Sequence, residues 1–394
     1  MYSSLLTLLI AVPTIFAAPF LDLNDIINQI DVAGVIPDKW IVNLGDEKVK
    51  EQAGVQIAQA KGIFKTREYS LPGFRGFAFD GSLKDVTQLL KQLSNVKSIE
   101  PDKVISLDAL VTQSNAPWGL ARVSNRHTGS SSYFYDGSAG AGTYSYIVDS
   151  GINTGHVDFG GRASMGANFI DGEGSQDGNG HGTHVAGIVG GTRYGVAKKT
   201  TLIGVKVFGA SGTSSTSAIL AGVDWAVGDA RNKGRTGRSV INMSLGGSYS
   251  RAINDAAKAA TDAGIFMAVA AGNNGEDASN YSPASAPSVC TVGATDINDN
   301  RAKYSNFGKP LDIYAPGSNI LSTWIGSSTA INTISGTSMA SPHIAGLAAY
   351  VIAVEGTRSP TALCSRLQQI SQRNAIKDAN KGGSPNLLAY NGNG

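Results

Sequence analysis

The sequence predicts an α/β protein: a doubly wound parallel sheet with helices on both faces, preceded by a small α+β domain. Three observations lead there. Beyond about residue 109, short apolar runs alternate with longer stretches of helical period, the pattern of parallel strands joined by crossover helices. Glycine is abundant, 49 of 394 residues, which suits many tight turns and close backbone approaches. Hydrophobic residues make up 42% and charged residues 16%, so a large core can be built.

From the N-terminus, residues 5–16 form a short apolar run, and Ala17-Ala18 supplies the small residues of a signal-peptidase site. The run is too short for a bilayer, which takes about 20 residues, and no Lys or Arg precedes it. Residues 1–18 are therefore expected to be a secretory signal. No later segment is read as long and apolar enough for an anchor, so an exported, soluble protein is expected.

Residues 19–108 are expected to form the small α+β domain. Lys39-Trp40-Ile41-Val42-Asn43-Leu44 alternates like a strand, and Gly76-Phe77-Ala78-Phe79 reads as another. Ser82 is the expected N-cap of a helix, with Asp85 at the capping-box position. Leu83, Val86, Leu89, Leu90 and Leu93 share one face of it. Residues 96–107 return as extended chain. The large domain, residues 109–394, has expected strands at 144–148, 202–208, 239–245 and 265–270. Helices are expected at 217–232 and 250–263, with a Gly/Ser-rich loop at 209–217.

The net charge of +2 points neither to nucleic acid nor to a membrane surface. Cysteine occurs twice, at Cys290 and Cys364. In an oxidising compartment the two are expected to pair, the alternative being two buried thiols.

Three phrases carry the chemistry: Val148-Asp149-Ser150-Gly151, His181-Gly182-Thr183-His184-Val185-Ala186-Gly187 and Gly336-Thr337-Ser338-Met339-Ala340-Ser341-Pro342. A Ser hydroxyl is a poor nucleophile until a base takes its proton. A His can do so when a carboxylate fixes its tautomer and stabilises the imidazolium. Asp149 follows a strand, at the edge where open α/β sheets place their sites. His181 opens a helix through Val185, Ile188 and Val189. Ser338 opens another through Ile344, Leu347 and Val351, so backbone N–H groups and the positive helix end lie near a developing oxyanion. Asn273, after Ala271-Gly272 at the end of a strand, is the expected second oxyanion donor.

The order Asp…His…Ser and these motifs resemble the subtilisin family of serine proteases, most closely the proteinase K branch secreted by fungi. Asn115-Ala116-Pro117-Trp118-Gly119-Leu120, Ser244-Leu245-Gly246-Gly247 and Tyr281-Ser282-Pro283-Ala284-Ser285 echo the same branch. The resemblance covers nearly all of residues 109–391. It implies a subtilisin-like peptidase domain at 109–394, and a ferredoxin-like inhibitory propeptide at 19–108, removed near Asp108/Ala109. Asp149, His181 and Ser338 match the triad, and Asn273 the oxyanion Asn. Ser244, Leu245 and Gly246, with Ala271 and Gly272, match the walls of the primary specificity pocket. Their strand edges would hold an extended peptide, and small walls would favour large apolar or aromatic side chains. The family's structural Ca²⁺ would be held by the carbonyls of Pro287 and Val289 and the carboxylate of Asp312. Cys290 and Cys364 match one of two usual disulfides. Val185 stands where several relatives carry a free Cys, so thiol reagents are not expected to inactivate by that route. No cofactor is implied for catalysis. The implied partners are protein substrates and the chain's own propeptide, with a monomeric enzyme.

Other residues receive plainer readings. His181 and His184 at i, i+3 lack the third ligand of a zinc-hydrolase pattern, so His184 is expected to be a buried helix residue. His343 is expected to pack, and His127 and His156 to lie on the surface. Asp158 and Asp177 are read as loop carboxylates that could touch a cation. The sequon at Asn280 falls in a loop and is an expected glycosylation site, whereas that at Asn242 falls in a buried strand. Two other classes of function fit the residues less well. A secreted α/β-hydrolase esterase would need Gly-x-Ser-x-Gly and the order Ser…Asp…His, which the chain lacks. A catalytically inactive binding scaffold is opposed by the intact Asp, His, Ser and Asn positions.

Overall fold

The computed structural model describes residues 35–44, 64–90, 96–103 and 110–393. They fall into two compact units, one within residues 1–105 and one within 106–394. The expected signal segment and the expected Asp108/Ala109 junction lie outside the described residues.

The first unit contains β1 (Val35–Asn43), β2 (Phe64–Leu71), β3 (Phe74–Asp80), α1 (Leu83–Leu90) and β4 (Ser98–Lys103). The strands pair antiparallel in the order β2-β3-β1-β4, the ferredoxin-like order. Register explains the core. Trp40 stands opposite Phe79 and Val42 opposite Phe77, and these four side chains are buried with Val86 and Ile99. Each such burial contributes about 1.5–3 kcal/mol. At the start of α1 the expected capping box is present. Ser82 N–H and Oγ donate to Asp85 Oδ2 at 2.7 and 2.6 Å, while Asp85 N–H reaches back to Ser82 Oγ at 3.4 Å.

The second unit is built on nine strands: β5 (Tyr144–Asp149), β6 (Ala163–Asn168), β7 (Thr201–Lys206), β8 (Ser239–Met243), β9 (Phe266–Ala270), β10 (Cys290–Thr295), β11 (Ile313–Pro316), β12 (Gln372–Arg373) and β13 (Leu387–Leu388). Their order is β12-β13-β11-β10-β9-β8-β5-β7-β6. All neighbours run parallel except β12 and β13. The chain winds outward from β5 to one edge, then returns and winds to the other. The switch point is therefore beside β5, where a sheet of this kind opens a crevice at its C-terminal ends.

Helices cover both faces. Along β5 the side chains alternate: Ile147 packs with α2 (His181–Gly190) and α5 (Thr337–Glu355), whereas Tyr146 and Val148 pack with α3 (Thr216–Asn232) and α4 (Arg251–Asp262). Ser215 and Ser250 cap α3 and α4, accepting from Ala218 N–H and Ile253 N–H. The α5 helix is long and apolar enough to cross a membrane by length and composition, so the expectation that no later segment passes that test needs correction. The reason is its place: 15 of its 19 residues are buried, and an all-round apolar helix suits the centre of a core. Cys290 at the start of β10 is disulfide-bonded to Cys364 in α6 (Pro360–Ile370), 74 residues away.

Candidate active site

The C-terminal ends of β5, β8 and β9 and the N-termini of α2 and α5 enclose a cleft of about 490 Å³. Its lining includes Asp149, His181, Ser338 and Asn273, together with Ser244, Leu245, Gly246, Ala271 and Gly272. The sequence-predicted residues of the triad, oxyanion site and pocket walls are thus brought together.

Asp149 is the last residue of β5 and is buried. His181 is the first residue of α2. His181 Nδ1–H donates to both oxygens of Asp149, at 2.8 and 3.0 Å. This leaves Nε2 of the neutral ring as the acceptor. Ser150 N–H also donates to Asp149 Oδ1, at 2.8 Å. Burial pushes the His181 pKa down, but the charge and hydrogen bond of Asp149 and the charge of Asp177 outweigh it, and the net shift is upward.

Asp177 is more than a loop carboxylate. Its Oδ1 accepts from Ser150 Oγ, Asn179 N–H and Gly180 N–H at 2.9, 3.0 and 2.8 Å. Its Oδ2 accepts from Thr183 N–H and Oγ1 at 2.9 and 2.6 Å. It therefore caps the start of α2 and ties it to the residue after Asp149. The sequence signal was available: a carboxylate four residues before His181, ahead of a helix with no Ser or Thr cap of its own.

Ser338 lies in the first turn of α5. Pro342 has no N–H, so it cannot bond the Ser338 carbonyl four residues earlier. Ser244 Oγ donates to that carbonyl instead, at 2.7 Å. Asn242 and Ser341 extend the network, with Asn242 Nδ2 donating to Ser244 Oγ and Ser341 Oγ to Asn242 Oδ1, both at 2.8 Å. This explains both the proline of the motif and the burial of the Asn242 sequon. Ser338 Oγ donates to the Ser244 carbonyl at 3.2 Å. Among the described residues no hydrogen bond joins Ser338 to His181. Rotation about the Ser338 Cα–Cβ bond can redirect the hydroxyl, and such contacts commonly tighten only with substrate in place.

Asn273 is held by Thr337, a residue that sequence reasoning passed over. Thr337 N–H and Oγ1 both donate to Asn273 Oδ1, at 2.8 and 3.0 Å, and Gly272 N–H donates to Thr337 Oγ1 at 3.1 Å. A Cβ at Gly336 would stand 3.5 Å from Ser338 N and 3.6 Å from Asn273 Nδ2. The two donors thus border one space that glycine leaves open.

Asp312 precedes β11, at the N-terminal ends of the strands opposite the cleft, and meets the start of β10, where Thr291 stands two residues after Val289. Its Oδ2 accepts from Thr291 N–H at 2.8 Å. Burial pushes its pKa up to about 6, and among the described residues no cationic side chain pairs with it. A carboxylate of this kind, with no cationic partner among the described residues and joined to β10 two residues after Val289, suits a hard cation. His184 and His343 are buried as expected, and burial pushes each pKa down to about 4. His156 is buried, contrary to its surface reading, because Nδ1 accepts from Asp158 N–H and Nε2 meets the Ala330 carbonyl at 2.9 Å. Asp158 is buried too, accepting from Arg193 N–H at 2.7 Å. Asn280 is exposed, at the end of a short 3-10 turn.

Comparison with known proteins agrees with this geometry. Residues 140–394 match the subtilase family. The chain is 50% identical over 368 residues to the subtilisin-like serine protease AsES of Sarocladium strictum, covering 92% of each. It is 50% identical over 354 residues to alkaline protease 1 of Aspergillus clavatus, covering 90% of this chain and 86% of that one. It is 46% identical over 361 residues to the cuticle-degrading protease of Metarhizium anisopliae, covering 91% and 90%. A solved structure of a cold-adapted subtilisin-like serine proteinase superposes with a TM-score of 0.66 at 42% identity, covering 70% of this chain and 98% of the other. The chain belongs to the subtilase family and is a serine endopeptidase of its proteinase K-like kind.

Proposed function

We propose that the chain is the precursor of a secreted endopeptidase in which Ser338 is the nucleophile, His181 the base and then the acid, and Asp149 its orienting partner. The observation that carries this is the two-oxygen contact of Asp149 with His181 Nδ1, in one cleft with Ser338 at a helix N-terminus. Ser338 Oγ adds to the scissile carbonyl carbon as its proton passes to His181 Nε2. Asn273 Nδ2 and Ser338 N–H hold the oxyanion. His181 returns the proton to the leaving amine, the C–N bond breaks, and an acyl-enzyme remains. Water then adds to the ester with His181 again as base, and Ser338 regains its proton.

The substrate is an extended segment of protein, hydrogen-bonded along residues 244–246 and 271–272. The small walls of the pocket favour large apolar or aromatic residues before the scissile bond. The upward shift of His181 supports activity at neutral to alkaline pH. Residues 1–18 direct export, and residues 19–108 are the inhibitory propeptide, removed near Ala109. The enzyme acts as a monomer, with glycosylation at Asn280. A structural Ca²⁺ is held by Asp312 with the Pro287 and Val289 carbonyls and takes no part in the chemistry.

The test is expression of the full chain and its Ser338→Ala form, with assay on casein and on a chromogenic peptide carrying Phe before the scissile bond. The wild type is expected to be secreted, to begin near Ala109 and to cleave both. Ser338→Ala is expected to keep precursor length and be inert. Equal processing of both forms with no cleavage by either would make the protein an inactive scaffold.

A further inference from the structure

Behind the cleft, Lys206 at the end of β7 is fully buried. Its ammonium meets three acceptors: the Ser150 carbonyl at 3.0 Å, the Phe208 carbonyl at 2.9 Å and Glu173 Oε2 at 3.1 Å. A buried ammonium left unpaired is costly, so its acceptors are tightly bound to it. Glu173 does a second job. Both its oxygens accept from Ala210 N–H, at 3.0 Å each. Gly209 makes room for this, since a Cβ there would stand 2.6 Å from Glu173 Oε1. On the other side Asn179 Nδ2 donates to the Ala210 carbonyl at 3.0 Å. Phe208 and Gly212, which flank these anchored residues, line the cleft beside Asn179 and His181.

We propose that Glu173 is a positioning residue for substrate specificity. It holds residues 208–212 against Lys206 as one wall of the cleft, and so sets how tightly the enzyme binds substrate residues beyond the one in the primary pocket. This rests on the peptidase reading above. The loop 208–212 has no regular secondary structure of its own; backbone bonds fix its start to Asp149 and close its turn on Gly209 and Thr213, and the side chains of Glu173, Lys206 and Asn179 tie its middle to the rest of the domain. Charge-assisted bonds from a carboxylate are the strong kind of anchor. Glu173 is partly exposed, so its replacement is compatible with folding.

Glu173→Ala and Glu173→Gln are made in the full chain, and the enzyme each yields is assayed on two substrates. One is a single-residue ester, N-acetyl-tyrosine ethyl ester, which fills the primary pocket alone. The other is a peptide anilide with four residues before the scissile bond. Glu173→Ala is expected to raise KM for the long substrate about tenfold, with kcat on the ester within about twofold of wild type. Glu173→Gln keeps an oxygen acceptor for Ala210 N–H and Lys206 and is expected to recover part of the loss. An equal fall in kcat on both substrates would mean that Glu173 acts through the Ser150 carbonyl on Asp149, and would overturn the proposal, as would no change on either. Failure of the wild type to turn over the ester, or turnover by Ser338→Ala, would instead remove the peptidase reading beneath it.

Discussion

Thr337 and Asn273 are joined by two hydrogen bonds, from Thr337 N–H and Oγ1 to the one oxygen Asn273 Oδ1, at 2.8 and 3.0 Å. An amide whose oxygen is fixed twice has its nitrogen direction fixed as well. Asn273 Nδ2 is thereby presented to the space beside Ser338 N before any substrate arrives, which is the preorganisation an oxyanion site needs.

Asn273→Ala should therefore lower kcat with little change in KM. The expected loss is about 10²- to 10³-fold, the size known for this donor in subtilisin itself. Thr337→Val should cost less, about tenfold, because Thr337 N–H still holds Asn273 while Gly272 N–H loses its acceptor. Steady-state rates on a peptide anilide check both. A rise in KM with kcat intact would place Asn273 in ground-state binding instead.

With His181 as the base, its upward shift should set the acid limb of activity. The base must be neutral, so kcat/KM should fall below a midpoint above the ordinary imidazole value of about 6.5. Asp177 favours the charged ring, so Asp177→Asn should move this limb to lower pH while also reducing turnover as α2 loses its cap. The linked stability has the opposite direction to a carboxylate's. It is fully present below the unfolded His pKa and is lost as pH rises through the higher folded value. A pH–rate profile of both forms measures the shift, and an optimum near pH 4 would contradict the role of His181.

If Asp312 holds calcium with the Pro287 and Val289 carbonyls, chelation should lower the melting temperature and added Ca²⁺ should restore it. Asp312→Ala should remove that dependence and leave the cleft chemistry in place, since the site lies at the opposite ends of the strands. Thermal melts with and without chelator decide this.

The Cys290–Cys364 bond closes a loop of 74 residues. Loop-closure entropy for that length corresponds to about 4.5 kcal/mol of stabilisation at most. The Cys290→Ser, Cys364→Ser form should therefore unfold at lower denaturant by an amount equivalent to ~2–4 kcal/mol. Denaturant titration measures it, and an unchanged midpoint would show that α6 packs on β9 and α5 without help from the bond.

Much of the molecule was legible in the sequence because its signals are local. The alternating Trp40 and Val42, the Ser82–Asp85 box and the apolar strands leading to Asp149 and Ala270 each carry their own instruction. The motifs around Asp149, His181 and Ser338 announced a site before the sheet order brought them together. What escaped was set by long-range contacts. Strand β8 stops at Met243 rather than 245, because residues 244–246 leave the sheet to line the cleft. His156 and Asp158 are buried by a bond to Ala330 and by Arg193 N–H, partners far along the chain. Asp177, Thr337 and Glu173 act by holding other residues, and no periodicity marks a residue whose task is to fix a neighbour.

If Ser338 is the nucleophile activated by the His181–Asp149 pair, it should react selectively with an active-site phosphonylating reagent. The most direct measurement is reaction of the secreted enzyme with a fluorophosphonate, followed by mass mapping of the adduct, beside the Asp149→Asn form. One stoichiometric adduct on Ser338 is expected, with labelling slowed by about 10⁴-fold in Asp149→Asn, the scale of losing the orienting carboxylate in a triad. An adduct on another residue, or equal labelling rates in the two forms, would contradict it.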